Sequence, residues 1–194
     1  MNKTKAEKIV EELKKKVGQV LKAEDDGINP DKMMLRSMPT FSGWNSEVEL
    51  NTIKKFALIN EDLNALWFDE EYAKQSRWGG ITAPPTFFFG VCPGSDWAER
   101  IVYSEGLYDQ PIDERSKGSF DQAFYAGCQL EFFEPIKPGD TITYECKLAD
   151  VFEKEGRRGK LTFIIHETTY INQKGEVVVK NRSTSIFVRD SKIS

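Results

Sequence analysis

The final third of the chain restricts its fold more than any other stretch. Leu161–Ile171 is dense in β-branched and aromatic residues, and Glu176–Val188 resumes the same character after Asn172-Gln173-Lys174-Gly175. A tight, glycine-containing turn between two long strands closes an antiparallel hairpin. Upstream, Thr141–Leu148 alternates apolar and polar residues. It follows the proline-bounded turn Pro135-Ile136-Lys137-Pro138-Gly139-Asp140, which in turn follows Gln129–Phe133. A sheet of such strands has a face to bury, and the segments before it read as helices, so the expected class is α+β.

The first of those helices is expected from Lys5 to about Glu24, where Ile9, Val10, Leu13, Val17, Val20 and Leu21 recur at helical spacing opposite a charged face. This stripe reads as packing on the chain's own domain, with an oligomer contact as the alternative. Gly27–Asp31 is turn chemistry leading into a Met-rich connector through Met38. A second helix is expected within Glu47–Leu58. Asp69 ahead of Glu70 and Glu71 has the form of an N-cap followed by an acidic first turn, which predicts a short helix ending before Gly79-Gly80. Ala83 and Pro84 both precede a proline and are biased out of the α region, whereas Pro85 suits a first helical position. A helix is therefore expected from Pro85, with Thr86, Phe87, Phe88, Phe89 and Val91 turned inward, shortened or broken at Pro93-Gly94. Residues 95–117 carry mixed signals and read as an irregular excursion.

At 194 residues and 39% hydrophobic content, the chain suffices for one domain with a sizeable core. A net charge of -4 with dispersed basic residues excludes a nucleic-acid footprint. The start of the chain lacks an apolar signal core and no run approaches a membrane span, so the expected location is cytoplasmic. Cys92, Cys128 and Cys146 are too widely spaced for a zinc site and odd in number, which predicts reduced thiols and no metal.

The stretch Phe56–Ala73 puts a carboxylate, Asp62, in a turn, with Asn64 two residues on and Trp67 five residues on; Gly79-Gly80-Ile81-Thr82-Ala83-Pro84-Pro85-Thr86-Phe87 follows. That order resembles the MaoC-like hydratases and dehydratases of the hotdog fold, in the type that occurs as N-terminal or small-subunit domains. In that family the turn reads Asp-x-Asn-Pro-Ile/Leu-His. Here Asp62 and Asn64 match, Ala65 replaces the proline, and Trp67 stands where the histidine belongs. The Pro135–Asp140 turn and the Gly175 hairpin with Arg182-Ser183-Thr184 also fit, so the resemblance covers about Phe41–Arg189. It implies an antiparallel sheet wrapped round a central helix over residues 41–190. Residues 1–40 are then an added N-terminal helix and connector.

The resemblance further implies hydration of α,β-unsaturated acyl thioesters, or the reverse dehydration, with CoA or an acyl carrier as the thioester and no cofactor. Such chemistry needs a base for water, an acid for Cα and a donor to the enolate-like oxygen. Asp62 is the candidate catalytic carboxylate; it reads equally as an ordinary turn residue. Asn64, Trp67, Gly79, Gly80, Ile81 and Thr86 are the candidate substrate-binding positions. Trp67 has no basic nitrogen and reads first as core, second as a pocket wall. His166, the one histidine, lies in a strand and reads as structural rather than as a substitute base. Pro84 and Pro85 have no N–H, so an oxyanion donor would fall to Thr86 or beyond. Phe87–Phe89 read as core before acyl tunnel. Arg157, Arg158 and Lys160 read as an exposed hairpin tip before a CoA-phosphate contact. The resulting expectation is a hydratase or dehydratase subunit that lacks its own histidine, acts on an acyl-CoA-type molecule, and forms a homodimer or pairs with a complete second hotdog subunit. By resemblance, such pairings occur among mycolic-acid and steroid side-chain dehydratases. A non-catalytic acyl-CoA-binding module and a hotdog thioesterase are the alternatives.

Overall fold

The computed structural model describes residues 5–20, 46–91 and 122–190 apart from Arg158. The Gly27–Asp31 turn, the Met-rich connector, Pro93-Gly94, Cys92 and the 95–117 excursion lie outside the described residues. Helix α1 spans Lys5–Lys16, strand β1 Ser46–Glu47, α2 Leu50–Ile59, α3 Ala65–Phe68 and α4 Glu70–Gln75. A single 3-10 turn, Pro85–Phe87, runs into α5 at Phe88–Val91. Four long strands complete the described chain: β2 Gln122–Phe132, β3 Thr141–Gly156, β4 Gly159–Ile171 and β5 Val177–Asp190.

The strands form one antiparallel sheet in the order β1-β3-β4-β5-β2. Alternation sets its inner face. Thr162, Ile164, His166, Thr168 and Tyr170 of β4 are buried while the residues between them are only half-buried. On β3 the buried positions run from Ile142 to Leu148 in steps of two, then shift to Val151 past a bulge between Leu148 and Asp150. One extra residue changes which parity faces inward.

Over the Tyr144/Tyr170 end of that face sits the short helix that begins at Pro85. Phe87 and Phe88 are 1% and 0% exposed, and Phe88 meets Tyr170 edge-on at a centroid distance of 4.9 Å. Phe56 of α2 packs perpendicular to Phe87 at 5.4 Å. With Val48, Ile53, Ile136, Ile142, Val178 and Val179 these rings form the core. The expected start at Pro85 is observed, but two side chains depart from expectation: Thr86 is exposed and Phe89 is 42% exposed. Opening as a 3-10 turn, with three residues per turn, the segment cannot point Thr86 the same way as Phe87 and Phe88.

Helix α1 packs on the body of the same domain, burying Val10 and Leu13 and setting Lys14 3.9 Å from Glu153 of β3. It ends at Lys16, well before Glu24, because Gly18 takes a left-handed φ of 83° and breaks the helix. Gly18 N–H then donates to Leu148 O at 2.8 Å, and Val20 bridges Lys147. Val17 and Val20, taken from sequence as part of the helical stripe, are 38% and 37% exposed. Together with β1, which pairs with Thr141 and Ile142, these residues cover the outer edge of β3. Strand β2 at the opposite end of the sheet pairs with β5 alone among the described strands.

Truncating Phe88 to alanine should cost about 3–5 kcal/mol, since it removes a ring with no solvent exposure from the centre of the core. Phe89→Ala should cost about 1 kcal/mol or less. Urea unfolding of the two variants beside the parent chain measures the difference.

Candidate functional site

The Asp62 turn is built by helix-end chemistry. Helix α2 closes with Asp62 N–H donating to Ala57 O at 2.9 Å and Glu61 N–H donating to Leu58 O at 3.1 Å. Glu61 adopts a left-handed φ of 55°. This is the paired six-to-one and five-to-two pattern of a Schellman motif, with glutamate where glycine is usual. It places Asp62 two residues beyond the C-cap Asn60, half-buried. Asp62 Oδ1 then accepts from Asn64 N at 3.3 Å, and Asn64 Oδ1 accepts from Leu66 N at 3.0 Å as the N-cap of α3. Asp69, as expected from sequence, caps α4 by accepting from Glu71 N and Tyr72 N. Three short polar side chains thus hold the backbone of the turn and the two helices after it.

Trp67 occupies the third position of α3 and is 7% exposed. Its burial agrees with the core reading. Its Nε1 donor has no hydrogen-bond partner, however, so the indole also holds an unused N–H inside the fold.

The second group of candidates lies on the segment leading to the central helix. Gly79 takes a φ of 68°, which favours glycine, and its N–H donates to Ser76 O at 3.1 Å. Ile81, Thr82, Ala83 and Pro84 are all buried. Ala83 N–H donates to Ile136 O at 2.7 Å, and Lys137 Nζ donates to Trp78 O at 2.9 Å. The Gly-Gly-to-Pro-Pro segment and the Pro135–Asp140 turn, two separate motifs in the sequence, therefore form one surface. Phe87 N–H is engaged by Pro84 O at 2.9 Å and is withdrawn from any oxyanion role. Among the described residues no hydrogen bond or ion pair joins Asp62, Asn64 or Trp67 to Gly79, Gly80, Ile81 or Thr86.

Sequence reasoning gave no role to Asp140, although the Pro-Gly-Asp turn signalled it. Its carboxylate accepts from Lys137 N at 2.7 Å and from Gln173 Nε2 at 3.1 Å, and its backbone carbonyl accepts from Val48 N at 2.8 Å. It ties the turn under the central helix both to β1 and to the β4–β5 hairpin.

His166 is fully buried on β4, opposite Leu148 of β3 and Ser183 of β5. Burial alone pushes its pKa down to about 4, so it is neutral and weakly basic at neutral pH. Cys146 is buried and Cys128 exposed. Arg157 at the hairpin tip is exposed. Among the described residues no cluster of histidine, cysteine, aspartate or glutamate could hold a metal ion. No described helix is long and apolar enough to cross a membrane.

Residues 38–181 match the family described as FAS1-like, dehydratase domain region. A UPF0336 protein of Thermobifida fusca (strain YX) is 24% identical over 143 residues, which is 74% of this chain and 84% of that protein. Among solved structures, the ChsH1–ChsH2 complex of Mycobacterium tuberculosis aligns over 96% of this chain and 98% of its own, with a TM-score of 0.63 and 17% identity. The C-terminally truncated HadBC (3R-hydroxyacyl-ACP dehydratase) complex of Mycobacterium tuberculosis aligns over 74% and 90%, with a TM-score of 0.52 and 17% identity. These likenesses establish the hotdog fold.

The pKa of His166 has a consequence for stability. Its folded value lies below the unfolded value of 6.5, so the full contribution is present above pH 6.5. As pH falls from 6.5 toward 4, the unfolded chain binds a proton that the folded chain refuses, and about 3 kcal/mol is lost in total. Denaturant titrations across that window should show this slope, and His166→Gln should flatten it.

Proposed function

Because the chain belongs to the FAS1-like dehydratase domain family and shares the MaoC-like hotdog fold, we propose that it is a subunit of an acyl-thioester hydratase or 3-hydroxyacyl dehydratase that needs a second hotdog subunit for its reaction. The observation that supports this reading is the burial of the Trp67 indole, which by the sequence resemblance stands where the family has its imidazole. Asp62 keeps a carboxylate in the turn, yet one carboxylate does not supply both the base and the acid of the reaction. The chain's single histidine is buried in the sheet and weakly basic, which makes it a poor substitute. The complete Asp/His pair then belongs to the partner, while this chain shapes the acyl pocket through the Asp62–Trp67 turn and the Gly79–Thr86 segment. CoA or an acyl-carrier thioester is the substrate, and no cofactor takes part.

The sheet offers a place for that partner. Strand β2 is eleven residues long and pairs only with β5 among the described strands, and Phe124 and Phe132 on it are 52% and 50% exposed. An open, aromatic edge is a template for a further strand. The opposite edge is covered by β1 and Gly18–Val20. The two solved structures aligned above are themselves complexes, which supports the same reading.

The purified chain alone should hydrate enoyl-CoA no more than a few-fold above background. Adding a hotdog subunit that carries Asp-x-Asn-Pro-x-His should raise the rate by about a hundredfold or more, and His→Ala in that subunit should abolish the gain. Loss of enoyl absorbance is the readout. Strong hydration by the single chain overturns the proposal; release of free CoA identifies a thioesterase, and binding without turnover in every pairing identifies a binding module.

A further inference from the structure

The inner face of the sheet carries a polar patch that neither its packing nor the proposed reaction uses. In the register of the sheet, Thr168 stands beside Cys146 on one side and Asn181 on the other, and His166 stands beside Leu148 and Ser183. Adjacent strands place such neighbours roughly 5 Å apart, and successive inward residues roughly 7 Å apart along a strand. Thr168, Asn181 and Ser183 are 0%, 2% and 3% exposed. Thr168 Oγ1, Asn181 Oδ1 and Ser183 Oγ nevertheless have no hydrogen-bond partner.

Buried polar atoms are satisfied in the great majority of cases, and each exception needs a reason. Three exceptions on one face of two neighbouring strands need a common one. The patch also lies between the two described elements that pack on this face. Phe88 covers the Tyr170 end, and α1 reaches the far end through Lys14 and Glu153, the latter paired with Thr162. On the same face Leu148 and Ile164 are fully buried, beside the buried polar residues His166 and Ser185.

Resting on the acyl-thioester reading, we propose that Thr168, Asn181 and Ser183 form the specificity end of the acyl pocket and bind a hydroxyl group carried by the acyl chain away from the thioester. The chemistry selects this class of ligand. The patch has no charged side chain, which excludes a carboxylate or phosphate. Asn181 Oδ1 requires a donor, while the Thr168 and Ser183 hydroxyls can donate to an acceptor. A hydroxyl both donates and accepts, so it satisfies both kinds of group at once; a ketone leaves Asn181 Oδ1 unpaired, and a hydrocarbon leaves all three. Sites built to pair a substrate hydroxyl discriminate sharply against analogues that lack it.

The test uses the full chain, with its partner subunit wherever binding requires one, and two probes: decanoyl-CoA and ω-hydroxydecanoyl-CoA. Calorimetric titration should show the hydroxylated thioester binding about tenfold more tightly. In Thr168→Val/Ser183→Ala and, separately, in Asn181→Leu, that ratio should fall toward one. The same variants should melt about 2–4 °C higher in the absence of ligand, because each removes a buried group that the empty protein leaves unpaired. A lower melting temperature means that the groups are satisfied within the protein, by water or by the chain, and overturns the inference. Equal binding of the two probes to the parent protein overturns it too, while leaving the acyl-thioester reading intact. Binding of neither probe, alone or with a partner, sinks the underlying reading and this inference with it.

Discussion

The seating of Phe87 and Phe88 against the sheet is the constraint on which the remaining structure depends. Two prolines fix where the helix starts, and Ala83 N–H holds the approach to it against Ile136 O at 2.7 Å. Asp140 anchors the turn that carries Ile136, to β1 on one side and to the β4–β5 hairpin on the other. The helix that the sheet wraps is thus positioned from below by a polar clamp and from above by Phe56. A short helix, four residues after a single 3-10 turn, has little stability of its own. Its order comes from the rings it buries and from the clamp beneath it.

The same arrangement leaves the middle of the inner face to other contacts. Where Phe88 packs, the sheet presents tyrosine and valine, and their burial drives folding. Two rows along β4 the character changes to histidine, threonine, asparagine and serine, all buried. Apolar residues at these positions would stabilise the empty protein, so keeping polar ones sacrifices stability. Burial there lowers the basicity of His166. An environment that excludes a proton from an imidazole also strengthens any neutral hydrogen bond made within it.

Much of this was legible in the sequence, and what was not has physical causes. Strand period, the Asn172–Gly175 hairpin, the Asp69 cap and the start at Pro85 are local, and local rules found them. The end of α1 was misread because Val17 and Val20 continue the helical stripe, while Gly18 turns the chain so that those residues serve the edge of β3 instead. Thr86 and Phe89 were assigned inward together with Phe87 and Phe88, but four consecutive side chains of a short helix cannot all face the sheet. At the site, the Asp62–Asn64–Leu66 relay could be read from its turn residues. The Schellman closure through Glu61 could not, because glutamate gives no sign of a left-handed φ. The pairing of Ala83 with Ile136 and the clustering of Thr168, Asn181 and Ser183 depend on register between distant segments, which no local pattern contains.

On the proposed reading, the indole of Trp67 at the family's imidazole position divides the labour between two subunits. Both rings are planar and indole is the larger, but imidazole can take up and release a proton near neutral pH, whereas indole only donates. A subunit with indole at this position keeps the shape of the turn and one fixed donor while losing proton transfer. Selection on such a chain then acts on what it binds and what it pairs with. The sheet has buried polar rows on its inner face and, among the described strands, a β2 that pairs with β5 alone. On that reading one hotdog carries the chemistry and the other the recognition, since the turn that holds Asp62 and the inner sheet face that holds Thr168, Asn181 and Ser183 are separate parts of the chain.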